Sequence, residues 1–82
     1  MKFKKYESDD KRYLDCEIKV YNFEDADMFL SYLAKKNITE WWGCLDEFEE
    51  DTNILTLHSF YEHGEMRNRK EDIIYLWNDF SN

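Results

Sequence analysis

The sequence predicts an α+β fold, and three features of its 82 residues lead to this prediction. One segment alternates apolar and polar residues at the period of a strand, and a segment with helical spacing follows it. Two further strand-like segments and a second helical stripe occupy the C-terminal half. The predicted order is therefore ββαββα, an antiparallel sheet of about four strands with two helices on one face, in a single domain spanning residues 1–82.

The first strand-like pair is built around Tyr13–Tyr21, where apolar and charged residues alternate. Its predicted inward positions are Leu14, Cys16, Ile18 and Val20. The polar segment Glu7–Lys11 before it predicts a turn. Met1–Tyr6 would then pair back as an edge strand, whose lysines discourage pairing with other chains.

A helix is predicted from Phe23 to Lys36, with Asn22 as its N-cap. Acidic residues follow in the first turn, where the helix dipole favours carboxylates. Its apolar positions Ala26, Phe29, Leu30 and Leu33 follow the spacing of one helix face. Asn37 suits a left-handed residue that ends the helix.

The C-terminal half begins with Ile38–Phe48, which is rich in aromatic residues but alternates poorly. A strand covered on both faces, or a strand with a bulge at Gly43, fits this pattern. Glu49–Asn53 predicts a turn and Ile54–Tyr61 a returning strand. The last predicted helix follows Gly64, with a stripe made of Met66, Lys70, Ile73, Ile74, Trp77 and Phe80.

The chain has no apolar stretch near the roughly 20 residues of a membrane span or the apolar region of a signal peptide. Cys16 and Cys44 lack the close spacing of zinc knuckles or redox motifs, so we expect free thiols in a reducing compartment. We therefore expect a cytoplasmic protein that does not contact membranes.

Two groups of residues have the side-chain types of a metal site or a catalytic pair. Cys16, Cys44, His58 and His63 are the residue types of a zinc site, but 28 positions separate the two cysteines. Cys44 with His58 would form a nucleophilic pair, yet the surrounding acids would raise the pKa of a thiol. We expect no enzymatic activity, no bound metal and no cofactor.

Charge is distributed unevenly along the chain. Residues 1–36 carry eight basic and eight acidic side chains, and residues 67–82 carry three of each. Residues 37–66 have no lysine or arginine, so the entire net charge of −8 lies there. The acids of this stretch are Glu40, Asp46, Glu47, Glu49, Glu50, Asp51, Glu62 and Glu65. Such a balance argues against direct binding of nucleic acid, which depends on cations.

Two interpretations of this acidic stretch are open. Either it only keeps a hairpin soluble and blocks edge pairing, or it forms a docking surface for a basic partner. Duplex DNA carries a charge every 1.7 Å or so, whereas carboxylates on one face of a strand recur about every 6.6 Å. One hairpin therefore matches only a short piece of nucleic acid. Trp41 and Trp42 are candidate anchors, although we expect at least one in the core.

A small, proline-free, acidic α+β domain with its carboxylates on one hairpin resembles the phage-encoded inhibitors of the anti-CRISPR and anti-restriction type. The resemblance implies inhibition without chemistry, by occupation of the nucleic-acid site of a bacterial defence nuclease complex. The expected contact residues are the eight acids together with Trp41. The alternative is a small regulatory or structural subunit, monomeric or homodimeric, that docks through Trp41, Trp42 and Tyr61.

Overall fold

Four antiparallel strands form one sheet, and two α-helices pack on one of its faces, in a computed structural model that describes residues 1–82. The strands are β1 (Lys2–Ser8), β2 (Lys11–Lys19), β3 (Trp42–Gly43) and β4 (Ile54–Tyr61). The helices are α1 (Phe23–Lys35) and α2 (Met66–Ser81), and a 3-10 turn spans Leu45–Glu47. The spatial order of the strands is β1-β2-β4-β3. The predicted ββαββα order and α+β class are confirmed.

The hairpin of β1 and β2 closes through a tighter turn than the sequence predicted. Ser8 pairs with Lys11, which leaves only Asp9 and Asp10 between the strands. Both aspartates have positive φ angles, 52° and 63°, the conformation required by the two-residue turn that matches strand twist. Aspartate tolerates this region better than most residues, so both strands run two residues closer to the turn than expected, and β2 ends at Lys19 rather than Tyr21.

Helix α1 begins at the predicted Phe23 and ends at Lys35, one residue before the predicted Lys36. The side chain of Asn22 accepts a hydrogen bond of 2.9 Å from the backbone N–H of Asp25, which satisfies one unpaired donor of the first turn. Asn37 takes a φ of 58° just beyond the helix. Phe29 is fully buried and its ring packs against those of Trp77 and Phe80, which ties α1 to α2.

The expected strand over Ile38–Phe48 is wrong in extent: only Trp42 and Gly43 pair with β4. Trp41 and Phe48 are both buried although an odd number of positions separates them, and a regular strand would place them on opposite faces. The chain resolves this conflict by turning through Leu45–Glu47. At Gly43 a Cβ atom would lie 2.6 Å from Leu57 Cδ2, so a larger residue there would require the side chain of Leu57 to move.

The stripe predicted for α2 is correct at Ile73 but wrong at Ile74, which is exposed. Leu76 is the second buried residue of the helix. Because Ile73 faces the sheet, residues three and four positions later share its face, whereas its immediate neighbour is rotated away by about 100°. Neither helix has the length and apolar character needed to cross a membrane.

The core lies between the helices and the inner face of β2 and β4. Leu14, Cys16 and Ile18 point inward from β2, as predicted, and Leu55 and Leu57 lie opposite them on β4. The other face of the sheet is covered by no helix, and we call it the open face. Along each strand, the side chains of the open face alternate with those that point into the core.

Candidate functional site

The acidic turn between β3 and β4 is exposed and carries no ion pair. Glu49 and Ile54 exchange both backbone hydrogen bonds, which closes the turn and projects Glu50 and Asp51 into solvent. The Thr52 hydroxyl donates to the carboxylate of Glu49 at 3.2 Å. No cation lies within 4.0 Å of Asp46 or of these three carboxylates.

The first turn of α1 lies beside this acidic turn, which the sequence did not indicate. The rings of Phe23 and Phe48 meet edge to face at 5.8 Å, and the backbone N–H of Val20 donates to the carbonyl of Asn53 at 2.9 Å. Carboxylates from two separate segments therefore gather at one end of the molecule. We call this group the acidic pole; it consists of Glu24, Asp25, Asp46, Glu47, Glu49, Glu50 and Asp51.

The remaining acids of the expected contact set lie elsewhere. Glu62 and Glu65 follow the far end of β4, about 26 Å from the acidic turn for a strand of this length. Glu65 is neutralised by Arg69, with 3.0 Å between Nη2 and Oε2. Glu40 is exposed, and its carbonyl accepts the hydroxyl of buried Ser59. The structure thus brings together five of the eight predicted acids and separates three.

An open cleft of about 440 Å³ surrounds Glu62 and Glu65. Its charged lining mixes both signs and includes Lys11, Arg12 and Arg69. This end of the sheet is therefore not part of a continuous anionic surface. It differs from the acidic pole, where lysine and arginine form no ion pairs.

Glu47 belongs to the acidic pole and also to a hydrogen-bonded cluster on the open face. Nδ1 of His58 lies 2.8 Å from Asp15 Oδ1, and its Nε2 lies 3.0 Å from Glu47 Oε2. Partial burial alone would lower the pKa of His58, but the hydrogen bonds to Asp15 and Glu47 outweigh it, so the pKa is raised. The protonated ring donates to both carboxylates and holds the 3-10 turn against β4.

Trp41 does not belong to a contact surface, contrary to the expectation. Its side chain is 2% exposed, and its indole Nε1 donates to the carbonyl of Arg69 at 3.0 Å. Burial in the core satisfies both its apolar surface and its only donor. Trp42, at 39% exposed, points to the open face instead, which confirms that at least one of the two tryptophans is core.

Four aromatic rings form a continuous row on the open face, which we call the aromatic row. Tyr6 stacks on Tyr13 at 4.9 Å, Tyr13 contacts Phe60 at 5.0 Å, and Phe60 contacts Trp42 at 4.9 Å. The row crosses all four strands. Sequence reasoning missed it because cross-strand neighbours depend on the register, which the Asp9–Asp10 turn sets for Tyr6 and Tyr13.

The residue types of the zinc constellation are not brought together. Cys16 is buried on the helix side of the sheet, whereas His58 lies on the open face. Cys44 is exposed and unpaired. No group of three or more metal-binding side chains is arranged to hold an ion.

Comparison with known proteins adds no relative: no family model, no curated protein and no solved structure matches this chain.

Proposed function

We propose that this protein is a non-enzymatic inhibitor that occupies a basic, nucleic-acid-handling surface of a bacterial defence nuclease complex, as a phage-encoded anti-CRISPR protein does. The acidic pole is the proposed contact surface. The observation that carries the proposal is the joining of the acidic turn to the first turn of α1 through Phe23 and Phe48. Folding thereby adds carboxylates to a turn that already has no cationic partner.

The acidic pole forms no ion pair with lysine or arginine, in contrast to the rest of the molecule. All three arginines are paired with acids elsewhere, in Arg12–Glu7, Arg67–Glu71 and Arg69–Glu65. Unpaired like charges within a Debye length of about 10 Å repel one another and oppose folding. A basic target relieves this repulsion on binding, so the arrangement favours association with a cationic surface.

The size of the acidic pole limits what it can imitate. Its carboxylates come from one turn, one 3-10 turn and one helix end, so they cover a patch rather than a long row. Such a patch corresponds to a few phosphates or base edges beside a recognition site, not to a duplex of many base pairs. The proposed target site is therefore a short basic cleft.

The test is competition with a fluorescent oligonucleotide for purified CRISPR effector and restriction nuclease complexes. The informative variant combines Glu49→Lys, Glu50→Lys and Asp51→Lys. We expect it to lose about 100-fold or more in affinity for the inhibited complex, with a steep salt dependence of the wild-type on-rate.

The matched control combines Glu40→Lys, Glu62→Lys and Asp72→Lys, which changes the net charge equally at exposed, unpaired positions outside the acidic pole. This variant should bind within a few fold of wild type. Equal losses for both variants would mean that net charge alone matters. If the wild-type protein displaces the oligonucleotide from none of the complexes, the proposal fails.

The aromatic row favours a second candidate, a small structural or regulatory subunit that docks through exposed aromatic side chains. Of the residues expected for this role, only Trp42 lies in the row; Trp41 is buried and Tyr61 faces the helix side. For this candidate, Trp42→Ala and Phe60→Ala should abolish partner binding. The triple lysine variant of the acidic turn should leave that binding unchanged.

A further inference from the structure

The open face carries lysines toward its β1 edge and the carboxylate of Glu47 toward its β3 edge, and the aromatic row crosses it from edge to edge. Lys2 and Lys4 stand on β1, at one edge, and neither forms an ion pair. Glu47 lies toward the other edge, where its carboxylate contacts His58 on β4, the strand that pairs with β3. The molecule as a whole carries a charge of −8, so the β1 edge is a local exception.

This pattern is complementary to itself. A two-fold axis parallel to the strands, midway between β2 and β4, would place β1 of one copy over β3 of another. Lys4 would then lie over Trp42 of the second copy and close to its Glu47, because the register aligns Lys4, Asp15, His58 and Trp42 in one row across the sheet. Tyr13 would meet Phe60 across the same axis.

From this self-complementarity we infer that the open face binds a second copy of the chain, forming a symmetric dimer of two sheets. The inference names the occupant of the surface on which the second candidate function rests, and it does not depend on the target of the acidic pole. Stacked sheets prefer nearly aligned strands, which an axis along the strand direction produces. Lysine over tryptophan adds a cation–π contact to the ion pair.

The area of the open face sets the strength of this dimer. Strands of 7, 9, 2 and 8 residues, about 4.8 Å apart, give a face of about 420 Å² per copy. The total of about 850 Å² lies below the roughly 1,000 Å² of a stable specific interface. We therefore expect a weak, reversible dimer with a dissociation constant on the order of 100 µM.

Single-stranded nucleic acid is the main competing occupant, since bases stack on aromatic rings of open sheets. Two observations favour a second copy. Tyr6 and Tyr13 stack on each other and Tyr13 also contacts Phe60, so these rings leave less of their surface free for stacking bases. Asp15, Glu17 and Glu47 stand on the open face together with Lys2, Lys4, Lys11 and Lys19, and a surface of mixed sign suits a second copy of itself better than a uniformly anionic strand.

The test is sedimentation equilibrium of the full chain between about 10 µM and 1 mM, a range that brackets the expected dissociation constant. Phe60→Lys introduces a charge into the aromatic row and should weaken dimerisation about tenfold or more. Tyr75→Lys is the matched control, because Tyr75 is an exposed aromatic residue on α2, away from the open face. Circular dichroism checks that both variants fold.

A reciprocal charge exchange tests the orientation. Lys4→Glu and Glu47→Lys should each weaken self-association by placing like charges across the axis. An equal mixture of the two variants should recover dimers, because each Lys4–Glu47 contact is then again between opposite charges. Recovery in the mixture supports the inference, and its absence overturns the proposed geometry.

Two further results would overturn the inference. One is a wild-type protein that stays monomeric at about 1 mM, well above the expected dissociation constant. The other is binding of a fluorescent oligothymidine that Phe60→Lys abolishes, which would identify the open face as a nucleic-acid platform. Neither result would affect the competition assay for the acidic pole, so the two proposals fail independently.

Discussion

His58 provides the sharpest prediction, because it holds the 3-10 turn to the sheet through two carboxylates. His58→Ala removes the hydrogen bonds to Asp15 and Glu47. A net hydrogen bond to a charged group contributes about 1.5–3 kcal/mol. The side chains of His58 and Asp15 are 19% and 21% exposed, so this bond keeps most of that value, whereas Glu47, at 48% exposed, is screened by solvent.

The expected loss for His58→Ala is therefore about 2–3 kcal/mol at about pH 6, where the imidazole is charged. For a domain of this size, each kcal/mol lowers Tm by about 4–8 °C. The melting temperature should thus fall by roughly 8–20 °C. Urea unfolding followed by tryptophan fluorescence measures the free energy of unfolding directly.

The pH dependence of this loss has a definite sign. The folded pKa of His58 is raised above the ordinary value of 6.5. Its contribution is fully present below the unfolded pKa and is lost as the pH rises through the folded pKa, since only the charged ring donates to both carboxylates. The difference between wild type and His58→Ala should therefore be larger at about pH 6 than at about pH 9.

His63 is the matched control, because it is exposed and makes no hydrogen bond. His63→Ala should change the free energy of unfolding by less than about 0.5 kcal/mol, as surface substitutions usually do. An equal loss for His58→Ala at both pH values would refute the reasoning, because a purely steric contribution of the ring does not titrate.

Three further outcomes are expected from the structure. Trp41→Ala should lower the free energy of unfolding by about 3–5 kcal/mol and Trp42→Ala by about 1 kcal/mol or less, because only Trp41 lies in the core. Similar losses for the two variants in urea unfolding would contradict this assignment. Asn22→Ala should cost about 1 kcal/mol by removing the N-cap of α1, measured in the same way, and no loss would show that the cap is dispensable. A thiol reagent should label exposed Cys44 in the native protein but Cys16 only after unfolding, since burial raises the pKa of Cys16 to about 12. Mass spectrometry detects the labels, and rapid labelling of both cysteines would contradict the burial of Cys16.

Elements whose signals are local could be predicted from the chain alone. The alternation in β2 and the spacing in α1 each lie within a dozen or so residues, and Asn22 and Asn37 mark the ends of α1 through their own backbone preferences. The concentration of acids between residues 37 and 66 is likewise a property of composition. Predicting these features does not require knowing which other segments pack against them.

Other features depend on contacts between distant segments and were inaccessible to local patterns. The burial of Trp41 rather than Trp42 follows from how the chain turns at Leu45–Glu47, where two burial demands conflict with strand alternation. The aromatic row requires the register of three strand pairs at once. The acidic pole requires Phe23 to pack on Phe48, which joins carboxylates that lie far apart in sequence. Burial and register are collective properties of the folded chain, because each side chain's surroundings depend on where every other element packs.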